Sequence, residues 1–277
     1  MKIAIIGTGL IGGSLALALK QQGHSIIGVE NNPEHAAQAL ALQLVDEIET
    51  PEKAIDAAQL IILSVPVDIA AGLLPFILDR IGNKVVMDVG STKEMIVETA
   101  SRHVKRGRFV ATHPMWGTEY SGPAAAVNGA FVDKACVICD REATDADALG
   151  LVEQMYLALG MHLVYMNARD HDLHVAYVSH ISHITSFALA NTVLEKEREE
   201  DAIFELASGG FESTVRLAKS NPRTWASIFM QNRENVLDVL NEHIAQLKKF
   251  KSCLEKENNE YLEELMVNAN RIRKIIK

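Results

Sequence analysis

Four glycines within seven residues, Gly7-Thr-Gly9-Leu-Ile-Gly12-Gly13, follow a short apolar run at the amino terminus and constrain the fold more than any other stretch. Ile3 to Ile6 reads as a fully buried strand, and Leu10 to Gln22 as a proline-free helix. Strand, tight turn and helix in that order open a βαβ unit. Gly7, Gly9 and Gly12 stand at G-x-G-x-x-G spacing. The first permits the turn, the second lets backbone approach a pyrophosphate, and the third lets the helix pack close to the strand. The phosphates would sit at the positive end of that helix, against Leu10 and Ile11 in its first turn.

A glycine fingerprint alone is weak, so the next strand must supply an acid. Ser25 to Val29 is that strand, and Glu30 closes it. A carboxylate there accepts hydrogen bonds from the adenosine ribose hydroxyls and repels a 2′-phosphate, which favours NAD over NADP. Asn31 and Asn32 follow without an arginine. The competing reading is a signal peptide ending near Ala16-Leu-Ala18; the glycines within its apolar segment and the βαβ continuation oppose it.

Strand and helix patterns alternate as far as about Met166, the signature of a parallel sheet with crossover helices. The expected strands continue with Gln59 to Ser64, Lys84 to Val89, Phe109 to Thr112, Lys134 to Cys139 and His162 to Met166. The expected helices are Pro33 to Leu42, Ile69 to Arg80, Glu94 to Lys105 and Asp145 to Leu159. The glycine turn, Glu30, Val65-Pro66, Ser91-Thr92 and His113 would all fall past carboxyl ends of strands, on the one rim where such sheets bind ligands. Val65 and Pro66 are assigned to the cofactor with the glycines and Glu30.

From Ala168 onward apolar positions recur at helical spacing. The expected architecture is therefore an α/β, Rossmann-type doubly wound parallel sheet over residues 1–167, followed by an all-α dimerisation domain over 168–277. A long stripe runs from Trp225 through Phe229, Leu237, Leu240, Ile244 and Leu247 to Leu254. It exceeds what one small domain covers, so a homodimer is expected. The charged run Glu195 to Asp201 reads as a solvated loop or helix end.

Composition narrows the function classes. A net charge of -9 over 277 residues argues against a nucleic-acid partner. No stretch reaches the roughly 18 uninterrupted apolar residues of a membrane span. Three cysteines do not make a disulfide framework and suit a reducing cytoplasm. Cys136-Val-Ile-Cys139 matches C-x-x-C, but in a strand residues three apart face opposite sides, which opposes a redox or metal pair.

The residues suited to chemistry are few. His113 lies on the rim, where a histidine beside a nicotinamide can accept a proton from an alcohol as hydride leaves; a satisfied loop histidine is the plain alternative. Ser91 reads as a helix N-cap whose hydroxyl can also reach a substrate. Lys93 could neutralise an anion, although a first-turn lysine is more often solvated. His171 and His174 are spaced to share a helix face, as are His180 and His183. Their H-x-x-H spacing is not that of H-E-x-x-H, so no metal is expected and polar contacts into the cleft are the simpler reading. Arg216, after Gly209-Gly210-Phe211, has the planar fork that holds a carboxylate, or else forms a surface ion pair.

Five stretches together resemble the prephenate and arogenate dehydrogenase (TyrA) family of tyrosine biosynthesis. They are Gly7-Thr-Gly-Leu-Ile-Gly-Gly-Ser14, Asp88-Val-Gly-Ser-Thr-Lys93, His113-Pro-Met-Trp-Gly-Thr-Glu119, Ser179-His-Ile-Ser-His183 and Gly209-Gly-Phe-Glu-Ser-Thr-Val-Arg216. The resemblance implies an NAD-binding amino-terminal domain, a helical dimer-forming domain and a substrate cleft between them. By this resemblance His113 takes the catalytic histidine position and Ser91 that of the serine bonding the reacting hydroxyl. His183 becomes a cleft histidine and Arg216 the carboxylate-binding arginine; His180 and Thr118 are counted with them as substrate-binding. Ser213 and Val215 depart from the aspartate and threonine of many relatives, which weakens the case for a polar gate between Glu119 and this segment. The chain ends soon after the helical domain, so neither a regulatory ACT domain nor a fused chorismate mutase is expected. The implied reaction is NAD-dependent oxidative decarboxylation of prephenate to 4-hydroxyphenylpyruvate. Arogenate is the alternative substrate, and a 3-hydroxyacid dehydrogenase of the 6-phosphogluconate type or a non-catalytic dinucleotide sensor are the alternative classes.

Overall fold

The structure, a computed structural model, describes residues 1–198 and 203–275, so the charged run Glu195 to Asp201 lies partly outside the described residues. Two compact units divide the chain, Met1–Asn232 and Arg233–Lys277. The first opens with β1 (Lys2–Ile6), α1 (Leu10–Gln21), β2 (Ser25–Val29), α2 (Pro33–Ala41), β3 (Glu47–Ile48), α3 (Pro51–Ala57), β4 (Leu60–Leu63), α4 (Val67–Arg80), β5 (Val85–Asp88) and α5 (Glu94–Ser101). It continues with β6 (Phe109–Pro114), β7 (Ala135–Cys139), α6 (Ala146–Ala158), β8 (His162–Met166), α7 (Ala168–Val175), a π-helical turn Ala176–His180, α8 (Ile181–Glu197), α9 (Gly209–Val215) and α10 (Pro222–Gln231). The second unit holds α11 (Arg233–Glu255) and α12 (Asn259–Ala269).

The eight strands form one sheet in the order β3-β2-β1-β4-β5-β6-β7-β8. Pairing is parallel from β3 to β6, and the order reverses about β1, which lies between β2 and β4. The expected all-parallel sheet is corrected at one seam: β7 runs antiparallel to β6, with Thr112 opposite Ile138 and His113 opposite Val137, and β8 then pairs parallel to β7. That pairing extends β6 to Pro114, so His113 sits inside the end of the strand rather than beyond it.

Both faces of the sheet are covered, which is why its strands are continuously apolar instead of alternating. Ile3, Ile5, Ile62, Met87, Cys136 and Ile138 belong to one core; Ala4, Ile6, Ile61, Leu63, Val137 and Cys139 belong to the other. Cys136 and Cys139 thus face opposite sides, as strand geometry requires, and burial pushes the Cys136 thiol up to about 12.

Two elements between Leu42 and Gln59 escape the sequence reading. The edge strand β3 is only Glu47–Ile48, too short for a periodic signal. Helix α3 does carry one: Pro51 at its first position behind Thr50, whose hydroxyl accepts from the Lys53 amide at 3.5 Å. The stripe beginning at Trp225 is also not one helix, because the chain breaks at Asn232 between α10 and α11. Among the described residues no helix is long and apolar enough to cross a membrane.

Candidate active site

The glycine turn is built as its spacing requires. Gly7 has φ +95°, and a Cβ there would lie 2.3 Å from the Ser64 carbonyl oxygen and 2.8 Å from Val65. A Cβ on Gly12 would lie 2.0 Å from the Gly7 carbonyl oxygen, so α1 approaches the strand as only glycine allows. Gly9, the N-cap of α1, differs: a Cβ there would meet nothing within 4 Å. Its face is open beside the first-turn amides of Leu10 and Ile11, a shape suited to a pyrophosphate. Glu30 is folded against this turn, its Oε2 accepting from the Thr8 amide and hydroxyl, both at 3.2 Å, and its Oε1 from the Asn32 amide at 3.1 Å. Pro66 caps α4 on the neighbouring strand end. These residues fit an NAD molecule with its pyrophosphate on α1 and a ribose at Glu30.

Ser91 lies in the turn that follows β5, the strand beside β6. It is not the expected N-cap: α5 begins at Glu94. The cap comes from a distant carboxylate, Asp172 of α7, whose Oδ1 accepts from the Lys93 amide at 2.7 Å and whose Oδ2 accepts from the Glu94 amide at 2.9 Å. Lys93 is not solvated either. It is fully buried and its ammonium donates to Asp88 Oδ2, which also accepts from the Gly90 amide at 2.9 Å. Thr92 donates to Gln231 Oε1 at 2.7 Å. The Ser91 turn is therefore clamped from both sides and from α10.

His113 Nδ1 lies 2.9 Å from His171 Nε2, and His171 Nδ1 lies 2.7 Å from Asp172 Oδ1. His171 is fully buried and His113 half-buried. Desolvation first, then the positive character of His171, Lys93 and His180, holds His113 well below the ordinary histidine value; desolvation likewise lowers His171. Both rings are neutral at neutral pH. The expected pairing of His171 with His174 on one face fails, because His171 points into this network while His174 is exposed.

The π-helical turn changes the register between α7 and α8 and ends on His180, which is fully buried. Asn232 Nδ2 donates to the Asp172 carbonyl at 2.6 Å and to His180 Nδ1 at 3.1 Å, leaving the proton of His180 on a buried Nε2 that has no partner among the described residues. His183 donates from Nδ1 to the Ser179 carbonyl at 3.1 Å and stacks on Trp225 with centroids 3.3 Å apart. Burial lowers both histidines to about 4. His180 also packs edge-on against Trp225, so the two share a face as expected.

Arg216 occupies a turn after α9 and donates to Glu119 Oε2 at 2.7 Å. A polar link between Glu119 and this segment thus exists despite Ser213 and Val215, with Arg216 itself providing it. Thr118, in the same loop as Glu119, accepts from the Tyr120 amide at 3.3 Å. The sequence reading missed Asp172, Asn232 and Gln231. The α5 cap from Asp172 and the contacts of Asn232 and Gln231 join residues 52 to 139 apart, a separation that leaves no local pattern.

A family model described as the prephenate dehydrogenase nucleotide-binding domain matches residues 15–165. The chain belongs to the prephenate dehydrogenase family. A second model, the prephenate dehydrogenase dimerization domain, matches residues 167–268. The prephenate dehydrogenase of Bacillus subtilis is 31% identical over 266 residues, spanning 94% of this chain and 72% of that protein. The crystal structure of prephenate dehydrogenase from Aquifex aeolicus in complex with hydroxyphenyl propionate and NAD+ superposes with a TM-score of 0.88 at 30% identity, covering 100% of this chain and 98% of that one. A Synechocystis arogenate dehydrogenase superposes with a TM-score of 0.78 at 29% identity over 100% of both chains.

Proposed function

We propose that the protein catalyses the NAD-dependent oxidative decarboxylation of prephenate to 4-hydroxyphenylpyruvate, with His113 as general base. The observation that carries this reading is a neutral histidine at the end of β6 with one ring nitrogen committed to His171 and the other free to act.

Prephenate is a cyclohexadienol with a hydroxyl at C4 and a quaternary ring carbon bearing a carboxylate. Bound NAD supplies the acceptor for the hydride that leaves C4. His113 takes the hydroxyl proton, Ser91 holds that oxygen, and Arg216 offers its remaining N–H donors to a substrate carboxylate. As the C4 carbonyl forms, the bond to the ring carboxylate breaks and its electrons enter the ring. Carbon dioxide leaves, and His113 returns the proton to the phenolic oxygen. His180 presents a buried Nε2–H, and His183 and Thr118 complete the polar lining. Aromatisation makes the step effectively irreversible.

Glu30 favours NAD over NADP through its negative charge at the ribose. A homodimer is supported by the apolar side chains that α11 leaves exposed, among them Leu247 and Leu254, and by the description of the second matching family model. The domain division at residues 167 and 168 and a cytoplasmic location complete the proposal. Prephenate is preferred over arogenate because Ser213 stands where many relatives carry an aspartate, which removes one acid from the segment beside Arg216, and because Glu30 selects NAD. Initial rates with the two substrates at equal concentration, with product identification, test the choice. Faster formation of tyrosine from arogenate would reverse it.

A further inference from the structure

Resting on the reading of His113 as base, we propose that His171 and Asp172 are positioning residues that fix the proton-accepting tautomer of His113. Asp172 accepts three N–H donors: the Lys93 and Glu94 amides and His171 Nδ1. A carboxylate oxygen facing a ring nitrogen accepts, so a neutral His171 carries its proton on Nδ1 and a lone pair on Nε2. That lone pair faces His113 Nδ1 at 2.9 Å. Two lone pairs cannot face each other across this distance, so His113 is protonated on Nδ1. Its Nε2 is left with the lone pair a general base requires.

The direction of each hydrogen bond is thus dictated from α7. The logic is that of a carboxylate orienting a catalytic imidazole, here passed through a second imidazole. Asn232 anchors the main chain of the same residue, donating to the Asp172 carbonyl at 2.6 Å and so fixing the segment of α7 from which the carboxylate projects. Asp172 also caps α5, and the turn before α5 carries Ser91. One carboxylate therefore sets both the base and the loop that holds the reacting hydroxyl.

Histidine ¹⁵N NMR of the full-length protein without substrate reads the tautomers directly. His113 is expected to be protonated on Nδ1 and unprotonated on Nε2, and an Nε2-protonated His113 in the native protein would overturn the proposal. His171→Leu removes the acceptor and is expected to mix the His113 tautomers and lower kcat by about tenfold or more, with KM changed by less than about threefold. His171→Gln can accept from His113 through its amide oxygen and donate to Asp172 through its amide nitrogen, and is expected to recover most of the lost kcat. Wild-type kcat in His171→Leu, or no recovery in a folded His171→Gln, would also overturn it. Full activity in His113→Asn would instead remove the base reading. An inactive His113→Asn beside a fully active His171→Leu would sink the relay alone.

Discussion

The cofactor rim and the histidine network, which meets the sheet at His113 of β6, are built in opposite ways. On the rim, Gly7, Gly9, Gly12 and Glu30 fall within one βαβ unit, and the Thr8 to Glu30 contact spans 22 residues. Backbone geometry does the work, and a missing Cβ is the informative feature. In the network, side chains do the work across 58 residues from His113 to His171, 79 from Lys93 to Asp172 and 97 from Glu119 to Arg216. A site made of backbone is written in local spacing. A site made of side chains depends on the finished fold.

The contrast predicts different failures on the two sides. The largest is expected at His113, where His113→Asn should lower kcat by roughly a hundredfold or more with little change in KM or in NAD affinity. Steady-state kinetics with a separate NAD titration check this, and parallel loss of NAD binding would blur the division. Next, Arg216→Ala should raise the substrate KM by on the order of tenfold while lowering kcat less, since it removes a carboxylate contact common to ground and transition states. On the rim, Gly9→Ala should fold as the wild type, because its Cβ meets nothing, yet bind NAD about tenfold more weakly by obstructing the pyrophosphate. A matching loss of thermal stability would contradict the open face assigned to Gly9. Glu30→Ser should narrow the NAD to NADP ratio of kcat/KM, the smallest kinetic effect of the four.

Acidification sharpens the same comparison through stability. His113, His171, His180 and His183 all have folded values below the ordinary 6.5. The unfolded chain therefore takes up protons first, and the stability contributed by these neutral rings is fully present above about pH 6.5 and lost as pH falls below it. The thermal midpoint is expected to drop between about pH 7 and pH 5. His180→Asn and His183→Asn should flatten that slope, whereas Gly9→Ala should leave it unchanged. The acid limb of kcat/KM should likewise fall below pH 6.5, since His113 must be neutral to act.

Legibility in the sequence follows the same divide. Strands β1, β2, β4, β5 and β6, the glycine turn, Glu30 and His113 could be read because period, spacing and punctuation are local. The antiparallel seam at β7 could not, since a buried strand has the same apolar run in either direction. Ser91 was legible as a position, whereas its cap was not, because Asp172 reaches α5 from α7. Lys93 looked like a solvated first-turn lysine, and only the placement of Asp88 beneath it explains its complete burial. The Trp225 stripe hid its break because Asn232 is an ordinary helical residue until its amide is needed by Asp172 and His180.

The most direct test follows prephenate labelled in the ring carboxylate, mixed with the protein and NAD. One labelled carbon dioxide and one 4-hydroxyphenylpyruvate are expected for each NADH formed, with the yield running to completion. NADH without carbon dioxide would mark a simple alcohol dehydrogenase, and no NADH at all would leave a dinucleotide-binding protein; either result would contradict the proposed reaction.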